Sequence, residues 1–230
     1  MKNKTNIVLV LRSGGRYSVE DVKLLSFHLH KWKGTMDIHI TCLWDKINNP
    51  IRLFGVDFVP MHNPYRHWFS KMNIFDTTFQ DFIGDSFLYI DLDTVIIGDY
   101  ASIIPKKGEQ NFITLEDFYR PGKLASGMMW IPRQGKMQHL WKVWKSKPDF
   151  WIKKYRGDQD FLRDNILTNV YWQKRTSLIG SMKPLPKMKP MVKQPKDKAI
   201  ICFHGKPGIF QAAENIEWVS NYVKEYQDAR

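Results

Sequence analysis

The sequence predicts an α/β fold with a mostly parallel central sheet flanked by helices. Short apolar runs rich in β-branched and aromatic residues alternate with longer stretches whose apolar residues recur every three or four positions. This alternation is typical of strands joined by crossover helices. The 230 residues contain no internal repeat and no Gly/Ser-rich linker, so they are expected to form one domain over residues 1–230.

Seven strands follow from the apolar runs. The first run, residues 7–11, is too short for the apolar core of a signal peptide or for a membrane span, so no transmembrane segment is expected. The strands are expected at residues 6–11, 37–44, 56–60, 87–97, 111–115, 127–131 and 199–203.

Five helices are expected between and after these strands. In the first, residues 19–32, the side chains of Val22, Leu25 and Leu29 are spaced for one face. Residues 180–198 contain four prolines and six lysines, which predicts an extended, irregular segment. The other helices are expected at residues 70–82, 136–144, 159–167 and 212–226.

The charge of the chain favours polyanionic partners. Its 35 Lys and Arg against 23 Asp and Glu leave a net charge of +12. Nucleic acid, an anionic lipid surface, an acidic glycan and a phosphorylated small molecule all fit this excess. Cys42 and Cys202 each lie in an apolar run, where a free cysteine acts as a small core residue. A reducing, cytoplasmic setting is therefore expected.

Two carboxylates interrupt the longest apolar run. Asp91 and Asp93 are two residues apart within residues 87–97, so on a strand they would share a face. A buried pair of charges requires compensation, and a bound cation can provide it. The alternative is a pair of turn carboxylates at the end of a strand. Spacing alone does not decide, because Asp158 and Asp160 repeat it.

Three further motifs contain residues suited to a ligand. His204-Gly205-Lys206 follows a predicted strand and offers an imidazole, an accessible backbone and a cation for phosphate, or else a structural turn histidine. Asp158 precedes an apolar-periodic helix and could be its N-cap, a binding residue or both. The Ser126-Gly127 step allows a ligand close to the backbone, or a plain turn.

These motifs occur in a defined order that carries a resemblance. From residue 6 to residue 222 the chain resembles the GT-A nucleotide-sugar glycosyltransferases, and it is most similar to the glycogenin and lipopolysaccharide galactosyltransferase group of family 8. The resemblance implies a nucleotide-binding half over about residues 1–105 and an acceptor-side half with a C-terminal helix over about 106–230. The matching positions are Tyr17, Ser70-Lys71, Asp91-Leu92-Asp93, Ala125-Ser126-Gly127-Met128, Gly157-Asp158-Gln159 and His204-Gly205-Lys206.

The resemblance also implies which residues bind the donor. Asp91, Asp93 and His204 would hold Mn²⁺ or Mg²⁺, and the histidine shifts the preference towards Mn²⁺. The UDP portion of a UDP-sugar would contact Leu11, Arg12, Tyr17, Lys71, Asp91, Gly205 and Lys206. The donor sugar would contact Lys71, Asp117, Ser126, Gly127, Asp158 and Gln159.

Relatives of this type retain the anomeric configuration, which assigns catalysis here to Asp158 and Gln159. Either residue would stabilise the oxocarbenium-like transition state or act as the nucleophile. Ala125 stands where many relatives have asparagine, so the donor sugar stays open. The resemblance thus implies a metal-dependent, retaining transferase that moves a sugar from a UDP-sugar to a hydroxyl group.

The acceptor is the least determined part. A bacterial-type saccharide or anionic lipid-linked glycan is the first expectation and a hydroxymethylated DNA base the second, and a protein or a small molecule also fits. These acceptors suit the cytoplasm of a bacterium or a phage-infected cell. A non-catalytic, basic nucleic-acid-binding module is a further alternative. Residues 133–156 carry eight basic residues and one acidic residue among aromatic ones, which suits a nucleic-acid backbone. At helical spacing, however, Trp141, Trp144 and Trp151 are expected in the core. The oligomeric state is left open.

Overall fold

The computed structural model describes residues 4–133, 137–183 and 189–229. Its strands are β1 (Lys4–Leu11), β2 (Asp37–Trp44), β3 (Ile51–Leu53), β4 (Val56–Pro60), β5 (Phe87–Ile90), β6 (Thr94–Ile96), β7 (Ile113–Glu116), β8 (Leu124–Ile131), β9 (Val170–Tyr171), β10 (Ile179–Ser181) and β11 (Ile200–Cys202). Its α-helices are α1 (Val19–Lys31), α2 (Thr77–Ile83), α3 (Gln138–Ser146), α4 (Pro148–Lys154), α5 (Asp158–Asn165), α6 (Ile209–Ala213) and α7 (Glu217–Asp228). Short 3₁₀ helices span His67–Phe75, Ala101–Ile103 and Trp172–Lys174.

The described strands form a large sheet and a small one. The large sheet has eight strands in the order β3-β4-β2-β1-β5-β8-β7-β9, and four of its seven neighbouring pairs are parallel. The small sheet has the order β10-β11-β6. The predicted α/β architecture with a mostly parallel sheet is confirmed.

Alternation along the strands separates the core into two layers. Ile7 and Leu9 of β1 join the layer on the side of α1, whereas Val8 joins the layer beneath α3 and α5. Cys42 and Cys202 are buried and form no disulfide, as expected of core cysteines. None of the described helices is long and apolar enough to cross a membrane.

Several element boundaries differ from the prediction. The stretch expected as one helix over residues 70–82 is the 3₁₀ helix His67–Phe75 followed by α2. It breaks at Asp76, whose side chain accepts a hydrogen bond from the Thr78 N–H and caps α2. Residues 212–226 likewise divide into α6 and α7. Strands β3, β9 and β10 were not predicted, because two or three residues are too few to show a period of two.

Two predicted segments reach beyond the described residues. The helix expected from residue 136 begins at Gln138 and continues to Ser146, and Lys136 itself lies outside the description. The segment over residues 180–198 includes the end of β10, and its residues 184–188 lie outside the description.

Candidate active site

Asp91 and Asp93 lie in the turn between β5 and β6. The expected single strand over residues 87–97 was wrong, so the two side chains are not strand neighbours on one face. The Asp91 N–H donates to the Gly127 carbonyl at 2.8 Å, and the Asp93 carbonyl accepts the Phe203 N–H at 2.8 Å. These two bonds hold the turn between β8 and the residues that follow β11.

Each carboxylate of this turn has its own tyrosine partner. Tyr89 donates its hydroxyl to Asp91 Oδ1 at 2.5 Å, and Tyr17 donates to Asp93 Oδ2 at 2.9 Å. Burial and the nearby Asp93 raise the pKa of Tyr17, so its hydroxyl remains a proton donor at neutral pH. Tyr89 was missed by the sequence reasoning, and its position two residues before Asp91 is the signal that could have identified it.

Lys71 joins the turn to α5. This lysine is buried on the 3₁₀ helix His67–Phe75, and its Nζ lies 2.9 Å from Asp91 Oδ1 and 3.2 Å from Asp158 Oδ2. Burial on its own would lower the pKa of Lys71. The negative charges of Asp158 and Asp91 raise this pKa by more than burial lowers it, so it lies above its usual value. The ammonium group thus stays charged between two carboxylates.

The carboxylates outnumber the cation that faces them. Burial, followed by the nearby Asp91, raises the pKa of Asp93 to about 7. Burial also raises the pKa of Asp91, against the opposing effect of Lys71. Both shifts have the sign expected of carboxylates that are short of positive charge, and a divalent cation would supply it.

Asp158 is the first residue of α5, and its side chain faces the site. Gly157 is the N-cap of this helix, so the interpretation of Asp158 as the N-cap was wrong. Asp158 Oδ2 instead accepts a hydrogen bond from Ser126 Oγ at 2.7 Å. The Ser126 hydroxyl also accepts one from Lys71 at 3.2 Å. Three residues distant in sequence are therefore linked in one buried network.

Gln159 is oriented through both ends of its amide. Its Oε1 accepts the Ser126 N–H at 3.4 Å, and its Nε2 donates to Asp117 Oδ2 at 3.3 Å. Asp117 is held in turn by Arg163, whose Nη2 lies 2.7 Å from the same oxygen. Arg163 was not singled out from the sequence, because it resembles an ordinary basic residue in the last turn of a helix.

His204 is half-buried near Asp117 of this network and is not grouped with the two aspartates of the turn. Burial lowers the pKa of its imidazole to about 4. Its Nε2 has no hydrogen-bond partner within residues 4–133, 137–183 and 189–229. Over the same residues, no three His, Cys, Asp or Glu side chains are grouped closely enough to hold a metal ion. A neutral imidazole with an unpartnered nitrogen has the chemistry of a metal ligand, and that role for His204 stays a prediction.

Comparisons with solved structures identify the architecture. The glycosyltransferase GlyE of Streptococcus pneumoniae superposes with a TM-score of 0.64 at 14% identity, over 96% of this chain and 60% of that one. An active-site glutamine-to-glutamate variant of LgtC also gives 0.64, at 12% identity and with 96% of both chains covered. The chain has the GT-A glycosyltransferase fold. Neither a family model nor a curated protein sequence matches it.

This chain covers a smaller share of GlyE than of LgtC. The chain spans three fifths of GlyE but nearly all of LgtC, whose structure with donor and acceptor sugar analogues superposes with a TM-score of 0.62 at 12% identity.

The other residues predicted for a GT-A donor site occupy several places in the fold. Leu11 ends β1, and Arg12 after it pairs with Asp45 rather than pointing freely into the site. Gly205 adopts a φ of 64°, which a side chain would disfavour, and Lys206 is exposed. Gly127 lies against the turn, since a Cβ built on it would be 3.4 Å from Asp91 Oδ2.

Proposed function

We propose that this protein is a metal-dependent, retaining glycosyltransferase that transfers a sugar from a UDP-sugar to a hydroxyl group of a saccharide. The observation that carries the proposal is the Lys71 ammonium between Asp91 of the turn and Asp158 of α5. It places a predicted metal-binding carboxylate and a predicted catalytic one in a single buried network within a GT-A fold.

Asp91, Asp93 and His204 are the residues that would hold Mn²⁺ or Mg²⁺, and since they are not grouped closely enough in the described residues, they would have to draw together around the cation. The unpartnered Nε2 of His204 supports this assignment. Oxygen ligands alone suit Mg²⁺, and an imidazole favours Mn²⁺. When bound, the cation supplies charge that stabilises the departing nucleoside diphosphate.

The nucleotide would lie over the carboxyl end of β1. Tyr17 would lie against the base, the buried Leu11 would border the pocket, and Lys206 with the Gly205 backbone would meet the phosphates. Arg12 would border this pocket while its guanidinium holds Asp45. Because Tyr17 also donates to Asp93, it would couple the nucleotide pocket to the cation site.

Asp158 and Gln159 would act on the donor sugar, next to Lys71, Asp117, Ser126 and Gly127. The hydrogen bonds from Ser126 and Lys71 fix the Asp158 carboxylate, and those of Gln159 fix its amide oxygen. A preoriented oxygen on the sugar's β face can stabilise an oxocarbenium-like transition state or act as the nucleophile.

Release of UDP tests the proposal. We expect slow Mn²⁺-stimulated hydrolysis of a UDP-sugar, and Asp93→Ala should lower its rate at least ~10²-fold, the effect of losing a major electrostatic stabiliser. His204→Ala should weaken Mn²⁺ binding at least about tenfold. Asp81→Ala, an exposed aspartate of α2, is the control. Near-normal Mn²⁺-stimulated turnover in Asp93→Ala would refute the metal assignment.

The nucleic-acid alternatives receive less support. Trp141 and Trp144 are buried, so their interpretation as core residues is confirmed and neither can stack on a base. Trp151 is partly buried against the same core. The excess of positive charge and the exposed Phe150 are what support the DNA alternatives, and charge by itself does not distinguish DNA from an acidic glycan.

A further inference from the structure

Trp68 is an exposed indole on the element that carries Lys71. Its side chain is 65% exposed, at the start of the 3₁₀ helix His67–Phe75. Residues three apart on a 3₁₀ helix lie one above the other, so Trp68 stands on the same side as Lys71. Lys71 in turn contacts Asp158, the predicted catalytic carboxylate. Trp68, Lys71 and Asp158 thus follow one another from the surface inwards.

A second element brings the same indole to the same place. Cε3 of Trp68 lies 3.6 Å from the position that a Cβ on Gly157 would occupy, so the ring lies beside the residue that immediately precedes Asp158. His67 enters the helix with a φ of 53°, a conformation that non-glycine residues seldom adopt. The exposed indole thus stands next to the start of the helix that carries Asp158.

Two arginines flank the indole along the chain. Arg66 lies two residues before Trp68, and Arg156 precedes Gly157; both side chains are exposed. Within the described part of the chain, Arg66 and Arg156 form no ion pair, and Arg66 donates only to the Ile152 carbonyl at 3.4 Å. An anion next to Trp68 would therefore meet cations that no carboxylate neutralises.

We propose that Trp68 is the platform for the acceptor sugar ring, and that Arg66 and Arg156 select an acceptor carrying a negatively charged group. The proposal rests on the proposed transferase function and specifies its acceptor. A flat indole suits the apolar face of a sugar ring, and it leaves the hydroxyl groups at the ring edge free to point towards the donor sugar. The flanking arginines would pair with a carboxylate or phosphate on that sugar.

Sugar binding in the presence of UDP and Mn²⁺ tests the proposal. The probes are methyl β-glucuronide and methyl β-glucoside, titrated by saturation-transfer NMR. Trp68→Ala should weaken both sugars about tenfold or more, and Trp68→Phe should restore most of the loss. Arg156→Gln should weaken the glucuronide about threefold and leave the glucoside unchanged, the range of an exposed ion pair. Phe82→Ala, another exposed aromatic at 56%, is the control.

The outcomes separate the two proposals. If the wild type shows no thermal shift with UDP plus Mn²⁺, the transferase function fails. If that shift is present but neither sugar binds the wild type, the acceptor platform alone is refuted. The same conclusion follows if both sugars bind Trp68→Ala as tightly as they bind the wild type. Trp68-dependent binding of 5-hydroxymethyl-2′-deoxycytidine monophosphate without binding of either sugar would replace the saccharide by a nucleobase.

Discussion

The Nζ of Lys71 lies 3.2 Å from Oδ2 of Asp158, although the two residues are 87 positions apart in the sequence. The same ammonium lies 2.9 Å from Asp91, so it holds together the turn after β5 and the first residue of α5. Removing a charge from such a buried set leaves its partners uncompensated.

Replacing Lys71 is therefore expected to destabilise the protein and to inactivate it. Lys71→Met should lower the free energy of unfolding by roughly 3–5 kcal/mol, the range for breaking a buried ion pair. Lys71→Arg keeps the charge and should lose less. Urea unfolding measures the first effect and UDP release the second. Lys142→Met, on the exposed face of α3, is the control, and equal losses in both methionine variants would contradict the role of Lys71.

The two arginines beside Asp117 should differ in importance. The Arg163 side chain is 14% exposed and donates to Asp117, Asp160 and the Leu124 carbonyl, whereas Arg120 is 59% exposed. Arg163→Gln should cost roughly 1.5–3 kcal/mol of stability and reduce kcat, because Asp117 then orients Gln159 less well. Arg120→Gln should cost less than about 1 kcal/mol. Chemical unfolding and steady-state UDP release compare the two; a larger loss in Arg120→Gln would reverse the assignment.

His28 should make stability depend on pH. Its imidazole stacks on Tyr222 with ring centroids 3.6 Å apart, and burial lowers its pKa from 6.5 to about 4. The unfolded chain therefore binds the proton first, so this contribution is complete above pH 6.5 and is lost as the pH falls towards 4. The loss should reach about 3 kcal/mol, at 1.36 kcal/mol per pKa unit.

Urea unfolding between pH 7 and pH 4.5 measures this dependence. His28→Gln should flatten the decline with falling pH even where it lowers stability overall. His62→Gln alters an exposed histidine and should keep the wild-type slope. A wild-type slope in His28→Gln would assign the pH dependence to other groups.

Local pattern was sufficient for most of the elements. The apolar runs located β1, β2 and β4, and the spacing of Val22, Leu25 and Leu29 located α1. These elements are long enough for their periodicity to show in the sequence. The same apolar pattern concealed the break between β5 and β6, because Leu92 is buried within the turn and continues the hydrophobic run.

The sequence by itself determined the fold class, the ordered motifs and the residue types available at the site: Asp91, Asp93, Lys71, Asp158 and Gln159. Only the tertiary structure decided that Lys71 lies between two of these carboxylates, that Arg163 orients Asp117 and that Trp68 borders Gly157. Periodicity reports on neighbours a few residues apart. The antiparallel pairing of β5 with β8, which brings Gly127 to Asp91, depends on how distant strands pack, and no local pattern encodes it.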